Sequence, residues 1–203
     1  MIDRYLHPIS ARICNRLAEP LARLGLSADQ ATIAGFVFGL VGAGLVAYRH
    51  FWAAVFAFAL NRICDGVDGA LARRSGPTDR GTFLDIALDF FFYGLVPLSF
   101  AIANPQSNAL AAAVLLASFI GTGSSFLALS VLAAKNGLSS LPFPKKGIYY
   151  IGGLTEGFET ILVFAAMCLL PHYFAALAYG FAVFCFFTAA LRCIWGYRIL
   201  SGN

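Results

Sequence analysis

Six stretches of mostly apolar residues divide the chain: Thr32–Ala47, Phe51–Leu71, Thr82–Ala103, Ala109–Ala133, Gly152–Leu170 and Phe174–Trp195. About 20 apolar residues carry a helix across a bilayer, so each stretch predicts a transmembrane helix. Ahead of them, Ile2, Leu6, Ile9, Ile13, Leu17 and Leu21 recur at spacings of three and four. That period predicts an amphipathic helix over Ile2–Leu24, whose Arg4, Arg12, Arg16 and Arg23 suit a membrane surface. Pro8 and Pro20 are places for it to kink or end. The arginines are spread among apolar residues rather than gathered before a short apolar core, so no cleavable signal is expected. Lys135–Tyr150 is a polar break containing glycine and proline. The expected architecture is an all-α membrane protein, with residues 1–25 as an amphipathic juxtamembrane helix and 26–203 as a six-helix transmembrane domain.

Composition agrees. The chain of 203 residues is 60% hydrophobic, with only 12% charged residues, against about 25% in soluble domains. Alternating the six helices from a cytosolic N-terminus puts Arg73, Arg74, Arg80, Lys135, Lys145, Lys146 and Arg198 on the cytosolic side with the N-terminal arginines. Arg49 alone falls in an outer loop, while Arg62 and Arg192 lie within helices. This is a positive-inside bias, and it predicts cytosolic ends. The net charge of +4 reflects that placement rather than a nucleic-acid surface. Cys14, Cys64, Cys168, Cys185 and Cys193 show no C-x-x-C spacing and read as buried free thiols.

Against this apolar background four aspartates stand out. Asp65, Asp68, Asp85 and Asp89 sit in D-x-x-D-G-x-x-A-R-x7-G-x-x-x-D-x-x-x-D. An ionised group at membrane depth needs a partner or a cation, and four carboxylates so close need positive charge between them. Residues three and four apart share a helix face. Asp65 and Asp68 therefore point one way from the end of the second apolar helix, and Asp85 and Asp89 share a face at the start of the third. A loop of roughly ten residues makes these helices antiparallel neighbours, so the carboxylates converge. Oxygen-only ligands favour Mg²⁺, Mn²⁺ or Ca²⁺ over zinc, with spare positions for phosphate oxygens. Gly69 and Gly81 clear room for a ligand, and Arg73 offers a planar fork to phosphate. The motif describes a divalent-metal diphosphate site at the cytosolic boundary.

At all eight fixed positions the run resembles the signature of the CDP-alcohol phosphotransferase (CDP-alcohol phosphatidyltransferase) family. The resemblance implies a phospholipid-synthesising membrane transferase that displaces CMP from a CDP-linked donor, CDP-diacylglycerol, with an acceptor hydroxyl. It implies Asp65, Asp68 and Asp85 as metal ligands. Asp89 is implied as the base on the acceptor hydroxyl and as a further metal ligand. One or two Mg²⁺ or Mn²⁺ ions, a homodimer and a bacterial inner-membrane location with a cytosol-facing site are also implied. Gly69, Ala72, Arg73 and Gly81 match positions lining the CDP moiety. The family's Pro-Asn before a threonine is Ala28-Asp29 here, although Thr32 is kept as a cytidine-side candidate. Asp29 can instead cap the helix.

Outside the motif, readings stay open. Arg62, one turn before Asp65, either pairs with an aspartate or binds the acceptor. Lys145 and Lys146 suit an acceptor phosphate or lipid headgroups. Arg192 is an acceptor candidate or a snorkelling side chain. Glu156 and Glu159 either bind a polyol or amine, or form an acidic first turn favoured by the helix dipole. Phosphorylated acceptors, polyols and amino alcohols remain equal options. A small cation transporter or channel using intramembrane aspartates is the alternative. It explains the carboxylates but not Gly69, Arg73 or Gly81. A non-catalytic lipid-binding scaffold is the third option.

Overall fold

The computed structural model describes residues 14–136, 155 and 157–201. Its helices are α1 (residues 14–23), α2 (Ala28–Ala47), α3 (Phe51–Ser75), α4 (Asp79–Ala103), α5 (Pro105–Lys135), α6 (Gly157–Leu169) and α7 (Phe174–Leu200), with a 3₁₀ turn at Pro171–Tyr173. No strand occurs among the described residues. Each apolar stretch coincides with a helix, most running a few residues further than hydropathy alone indicates. Four segments are long and apolar enough to cross a membrane: Ala28–Ala47, Asp79–Ala103, Pro105–Lys135 and Pro171–Leu200. The other two differ for physical reasons. α3 has 25 residues but carries Arg62, Asp65, Asp68, Arg73 and Arg74. The described part of α6 has 13 residues, fewer than the roughly 20 a crossing needs. Ile2, Leu6, Ile9 and Ile13 lie outside the described residues, as do Lys145, Lys146 and Glu156.

Local chemistry sets the helix ends. Ser27, not Asp29, caps α2. The Gln30 amide donates to Ser27 Oγ at 3.2 Å, and the Ser27 amide donates to Gln30 Oε1 at 2.9 Å, a reciprocal capping box. Asp29 sits in the first turn, paired with Arg80 at 2.7 Å. α3 stops at Gly76, whose φ of +89° is open to glycine. The connection to α4 is then only Gly76-Pro77-Thr78, shorter than the expected ten residues, because both helices extend into the motif's spacer. Thr78 caps α4, its Oγ1 accepting from the Gly81 amide at 3.1 Å. At the opposite end Arg49 donates from Nε and Nη2 to the Ala103 carbonyl, at 3.0 and 2.6 Å. It thereby satisfies a carbonyl that the end of α4 leaves unpaired.

Helix α2 packs against both α3 and α4, α5 against α4 and α7, and α6 against α3 and α7. The close approach of α2 depends on Gly35, Gly39 and Gly42 at helical spacing. A Cβ at Gly39 would meet the Phe92 ring at 2.7 Å, and one at Gly42 the Phe58 ring at 2.5 Å. Small residues of this kind let membrane helices meet backbone to backbone. Helices α3 and α4 run antiparallel, as the contacts Phe51–Phe100, Phe58–Phe92 and Arg62–Asp89 show in sequence. They meet through side chains, while α2 bridges their backbones. Phe58, Phe92, Phe100, Phe164 and Phe174 form the core, with Phe100 and Phe174 stacked at 4.4 Å. A smaller core joins Ala18 of α1 to Ala31, Val67, Ala70 and Leu71. Val37, Phe56, Ile120, Val183, Phe184 and Phe187 face outward, as a lipid-facing surface requires. Tyr48, Trp52 and Tyr173 are exposed at the Arg49 end, where amphipathic aromatics suit a membrane–water interface.

Candidate active site

The last turns of α3 and the first turns of α4 bring the motif together. Asp65 and Asp68 lie on one face of α3, Asp85 on the opposing face of α4. One carboxylate oxygen from each lies within 4.8 Å of the others. Asp68 is only 7% exposed, and Thr32 of α2 donates to its Oδ2 at 2.7 Å. Asp89, one turn further along α4, lines the same cleft with Thr32, Gly35, Asn61, Arg62 and the other three aspartates. Its Oδ1 accepts from Arg62 Nη2 at 2.9 Å, and Arg62 Nη1 is 3.5 Å from Asp65 Oδ2. Arg62 is thus shared between two carboxylates, one on each helix.

The glycines and arginine of the motif sit around this cluster. Arg73 Nη1 lies 3.3 Å from where a Gly69 Cβ would be, so the guanidinium folds back over the glycine. Ala72 is half-buried and Arg73 is exposed at the end of α3. A Cβ at Gly81 would lie 3.1 Å from both Asp29 Oδ1 and Thr78 Oγ1, so the start of α4 abuts the start of α2. Arg192 of α7 sits against α5. It is 9% exposed, donates to the Thr122 carbonyl at 2.9 Å, and stands 5.6 Å from the Phe126 ring centre. Glu159 is half-buried in the first turn of α6. The described cysteines are free. Cys193 is exposed rather than buried, whereas Cys168 and Cys185 are buried. Cys14 rests on Gly66. Burial raises its thiol pKa, with Arg73 pulling the other way and Asp65 and Asp68 adding to the rise; it is a packing thiol.

Asn61 and Gly35 line the cleft and are named neither by the motif nor among the other sequence candidates. Asn61 is 3% exposed; its Nδ2 donates to the Gly35 carbonyl at 2.8 Å, and its Oδ1 accepts from Arg62 Nε at 2.8 Å. Gly35 makes this possible, because a Cβ there would meet Cys64 Cβ at 3.0 Å. The available signal is an amide inside an apolar helix, which has to find a partner.

The three-aspartate set passes a chemical test for a divalent ion. All donors are oxygen, the choice of Mg²⁺, Mn²⁺ and Ca²⁺ over zinc. Two ligands of one Mg²⁺ at about 2.1 Å each are at most about 4.2 Å apart. Oxygens spanning up to 4.8 Å therefore close on one ion with a small rotation, or share two.

A family model for CDP-alcohol phosphatidyltransferases matches residues 26–190. The chain belongs to the CDP-alcohol phosphatidyltransferase family. It is 46% identical over 201 residues to the inner membrane protein YnjF of Escherichia coli K12, covering 99% of this chain and 98% of that one. It is 34% identical over 106 residues to phosphatidylinositol phosphate synthase of Streptomyces avermitilis, 50% of this chain and 43% of that enzyme. The fold is that of the Mycobacterium tuberculosis phosphatidylinositol phosphate synthase PgsA1. The structure with CDP-DAG bound superposes with a TM-score of 0.64 at 22% identity, covering 93% of this chain and 94% of that one. The manganese and citrate complex gives 0.66 at 22% identity, over 92% and 88%. With its apolar helices, this CDP-alcohol phosphatidyltransferase family member is an integral membrane protein, and its family is an enzyme class.

Proposed function

We propose that this protein transfers a phosphatidyl group from CDP-diacylglycerol to the hydroxyl of an alcohol, releasing CMP. The observation that carries the reading is the convergence of Asp65, Asp68 and Asp85 oxygens within 4.8 Å, beside Asp89, in a family member with the complete motif. The solved relative with CDP-DAG bound and its manganese complex support the donor and a divalent ion.

Asp65, Asp68 and Asp85 would hold Mg²⁺ or Mn²⁺; Asp89 lines the same cleft but falls outside the set whose oxygens lie within 4.8 Å of one another, and Arg62 engages its Oδ1. When bound, the ion supplies Lewis-acid polarisation of the diphosphate and neutralises charge on the leaving group. The rest is done by the chain. Thr32 holds Asp68 in its ligating orientation. Gly69 and Gly81 leave room for the diphosphate, Ala72 lines it, and the Arg73 fork pairs with its oxygens. Asp89 accepts the proton of the acceptor hydroxyl. The alcohol oxygen then forms a bond to the β-phosphorus in line with the bond to the CMP oxygen, which breaks, and CMP departs with that electron pair.

The same reading covers placement. The juxtamembrane segment expected over 1–25 is represented by α1, its residues 1–13 lying outside the described residues, and 26–203 is the six-span catalytic domain, α3 and α6 being the two polar or short spans. The site faces the cytosol of a bacterial inner membrane, and the protein works as a homodimer. Arg192, Glu159 and, outside the described residues, Lys145, Lys146 and Glu156 are the acceptor-side candidates. Release of CMP from CDP-diacylglycerol by purified protein, with Mg²⁺ or Mn²⁺ and a panel of free and phosphorylated alcohols, is the test. Activity with one acceptor, abolished by chelation, is expected. No release with any acceptor and no metal-dependent CMP binding would overturn the reading in favour of a cation pathway.

A further inference from the structure

Three links run from α2 to the base. The Gly35 carbonyl accepts from Asn61 Nδ2 at 2.8 Å, Asn61 Oδ1 accepts from Arg62 Nε at 2.8 Å, and Arg62 Nη2 donates to Asp89 Oδ1 at 2.9 Å. Each step uses a different edge of its group. The Asn61 amide is 3% exposed and held at both ends, so it has one orientation. A guanidinium is planar, so fixing Nε fixes the direction in which Nη1 and Nη2 point. The face of the guanidinium is fixed too, lying 5.4 Å from the centre of the buried Phe92 ring. Held this way, the fork reaches Asp89 on α4 and Asp65 on its own helix. One bond from Arg62 takes one of the roughly four acceptor positions of the carboxylate and leaves about three for a hydroxyl, but it holds the carboxylate in one orientation, so the anchor sets the angle at which the acceptor is met.

We infer that Asn61 is a positioning residue for the transfer reaction: it orients Arg62, and through Arg62 the Asp89 carboxylate, toward the acceptor hydroxyl. The inference rests on the transfer reading above and adds to it a residue outside the eight-position motif. The hydrogen bonds described for the Asn61 side chain go to Gly35 and Arg62 rather than to an aspartate, and in this reading it does not meet the donor. Its loss therefore acts on turnover and leaves donor binding alone. Misaiming a reacting group by about 1 Å costs on the order of 100-fold, and removing partners that orient ligands costs about 10–100-fold.

The test is a double-mutant cycle in detergent-solubilised protein. It uses wild type, Asn61→Ala, Arg62→Lys and the double variant, measuring kcat and KM for CDP-diacylglycerol and Kd for CMP with Mn²⁺. Asn61→Ala should lower kcat about 10–100-fold, with KM and CMP affinity within about twofold of wild type. Lysine keeps the charge but has no Nε–H for Asn61 to hold. Asn61→Ala should then have under about a twofold further effect in the Arg62→Lys background, because contacting residues that act through one interaction are non-additive. Losses that multiply would overturn the inference, as would Asn61→Ala at wild-type kcat. Equal falls in kcat and CMP affinity would also overturn it, since they report a collapsed site. If wild type binds no CMP and releases none, the transfer reading itself has failed. An active wild type with an indifferent Asn61 removes only the inference. Should Asn61→Ala not fold, Asn61→Val, which fills more of the space and offers Arg62 Nε no acceptor, provides the same comparison.

Discussion

Replacing Thr32 by valine removes one hydrogen-bond donor and little else. Both side chains are β-branched, although threonine has a second helical rotamer open to it because its Oγ1 can meet the carbonyl a turn back, as Thr32 meets Ala28; the backbone bonds of α2 are untouched. What is lost is the hydroxyl, which lies 2.7 Å from Asp68 Oδ2 and 3.0 Å from the Ala28 carbonyl; its one proton goes to the shorter contact, with the charged acceptor. A hydrogen bond to an ionised group is worth about 1.5–3 kcal/mol, and about 1.4 kcal/mol is a factor of ten. A loss of about 10-fold to somewhat over 100-fold follows. Groups that orient metal ligands cost about 10–100-fold in metal affinity when removed, so two independent arguments meet. The expected phenotype of Thr32→Val is a 10–100-fold rise in the Mn²⁺ concentration for half-maximal CMP release, with near-normal kcat once metal saturates. Thr32→Ser keeps the hydroxyl and should restore the wild-type metal curve. The assay also separates the two roles open to Thr32. A threonine that touches the cytidine side of the donor would raise KM for CDP-diacylglycerol at saturating metal and leave the metal curve in place. A half-saturating metal concentration within twofold of wild type would refute the orienting role.

Further expectations follow from other contacts. Asp89→Asn should retain metal-dependent CMP binding while turnover falls about 100- to 10,000-fold, the usual range for a general base; turnover at the wild-type rate would remove Asp89 from that role. Gly39→Ala places a methyl 2.7 Å from the Phe92 ring. That ring is 1% exposed and cannot swing clear, so stability should drop by about 1–3 kcal/mol, seen as a lower thermal midpoint in detergent. Arg49→Ala withdraws both donors from the Ala103 carbonyl. It should cost about 1 kcal/mol of stability and, being at the opposite end of α3 from the aspartates, leave kcat unchanged. Dialysis against a chelator should abolish CMP release, and returning Mg²⁺ or Mn²⁺ should restore it.

What is readable in this sequence is what depends on near neighbours. The helices follow from apolar runs, and the convergence of Asp65, Asp68 and Asp85 follows from spacings of three along one helix and a short return to the next. The capping box is equally local: Ser27 with Gln30 three residues on is its sequence signature, and Asp29 is a competing cap only while Gln30 is overlooked. Asn61 and Thr32 are different. As letters they are a lone amide in an apolar run and a threonine that the family resemblance offers only as a cytidine-side candidate. Their hydrogen-bond partners lie 26 and 36 residues away, and both partnerships require α2 to pack directly on α3. That closeness resides in Gly35, Gly39 and Gly42, whose missing side chains carry no chemical signal of their own. The aspartates repel one another and gain nothing by meeting without a cation, so the motif alone does not hold the site together. α2 does so, packed on α3 and α4 at once, with Thr32 on Asp68 and Gly35 on Asn61. A substitution that widened this contact would leave every motif residue in place and still disperse the carboxylates.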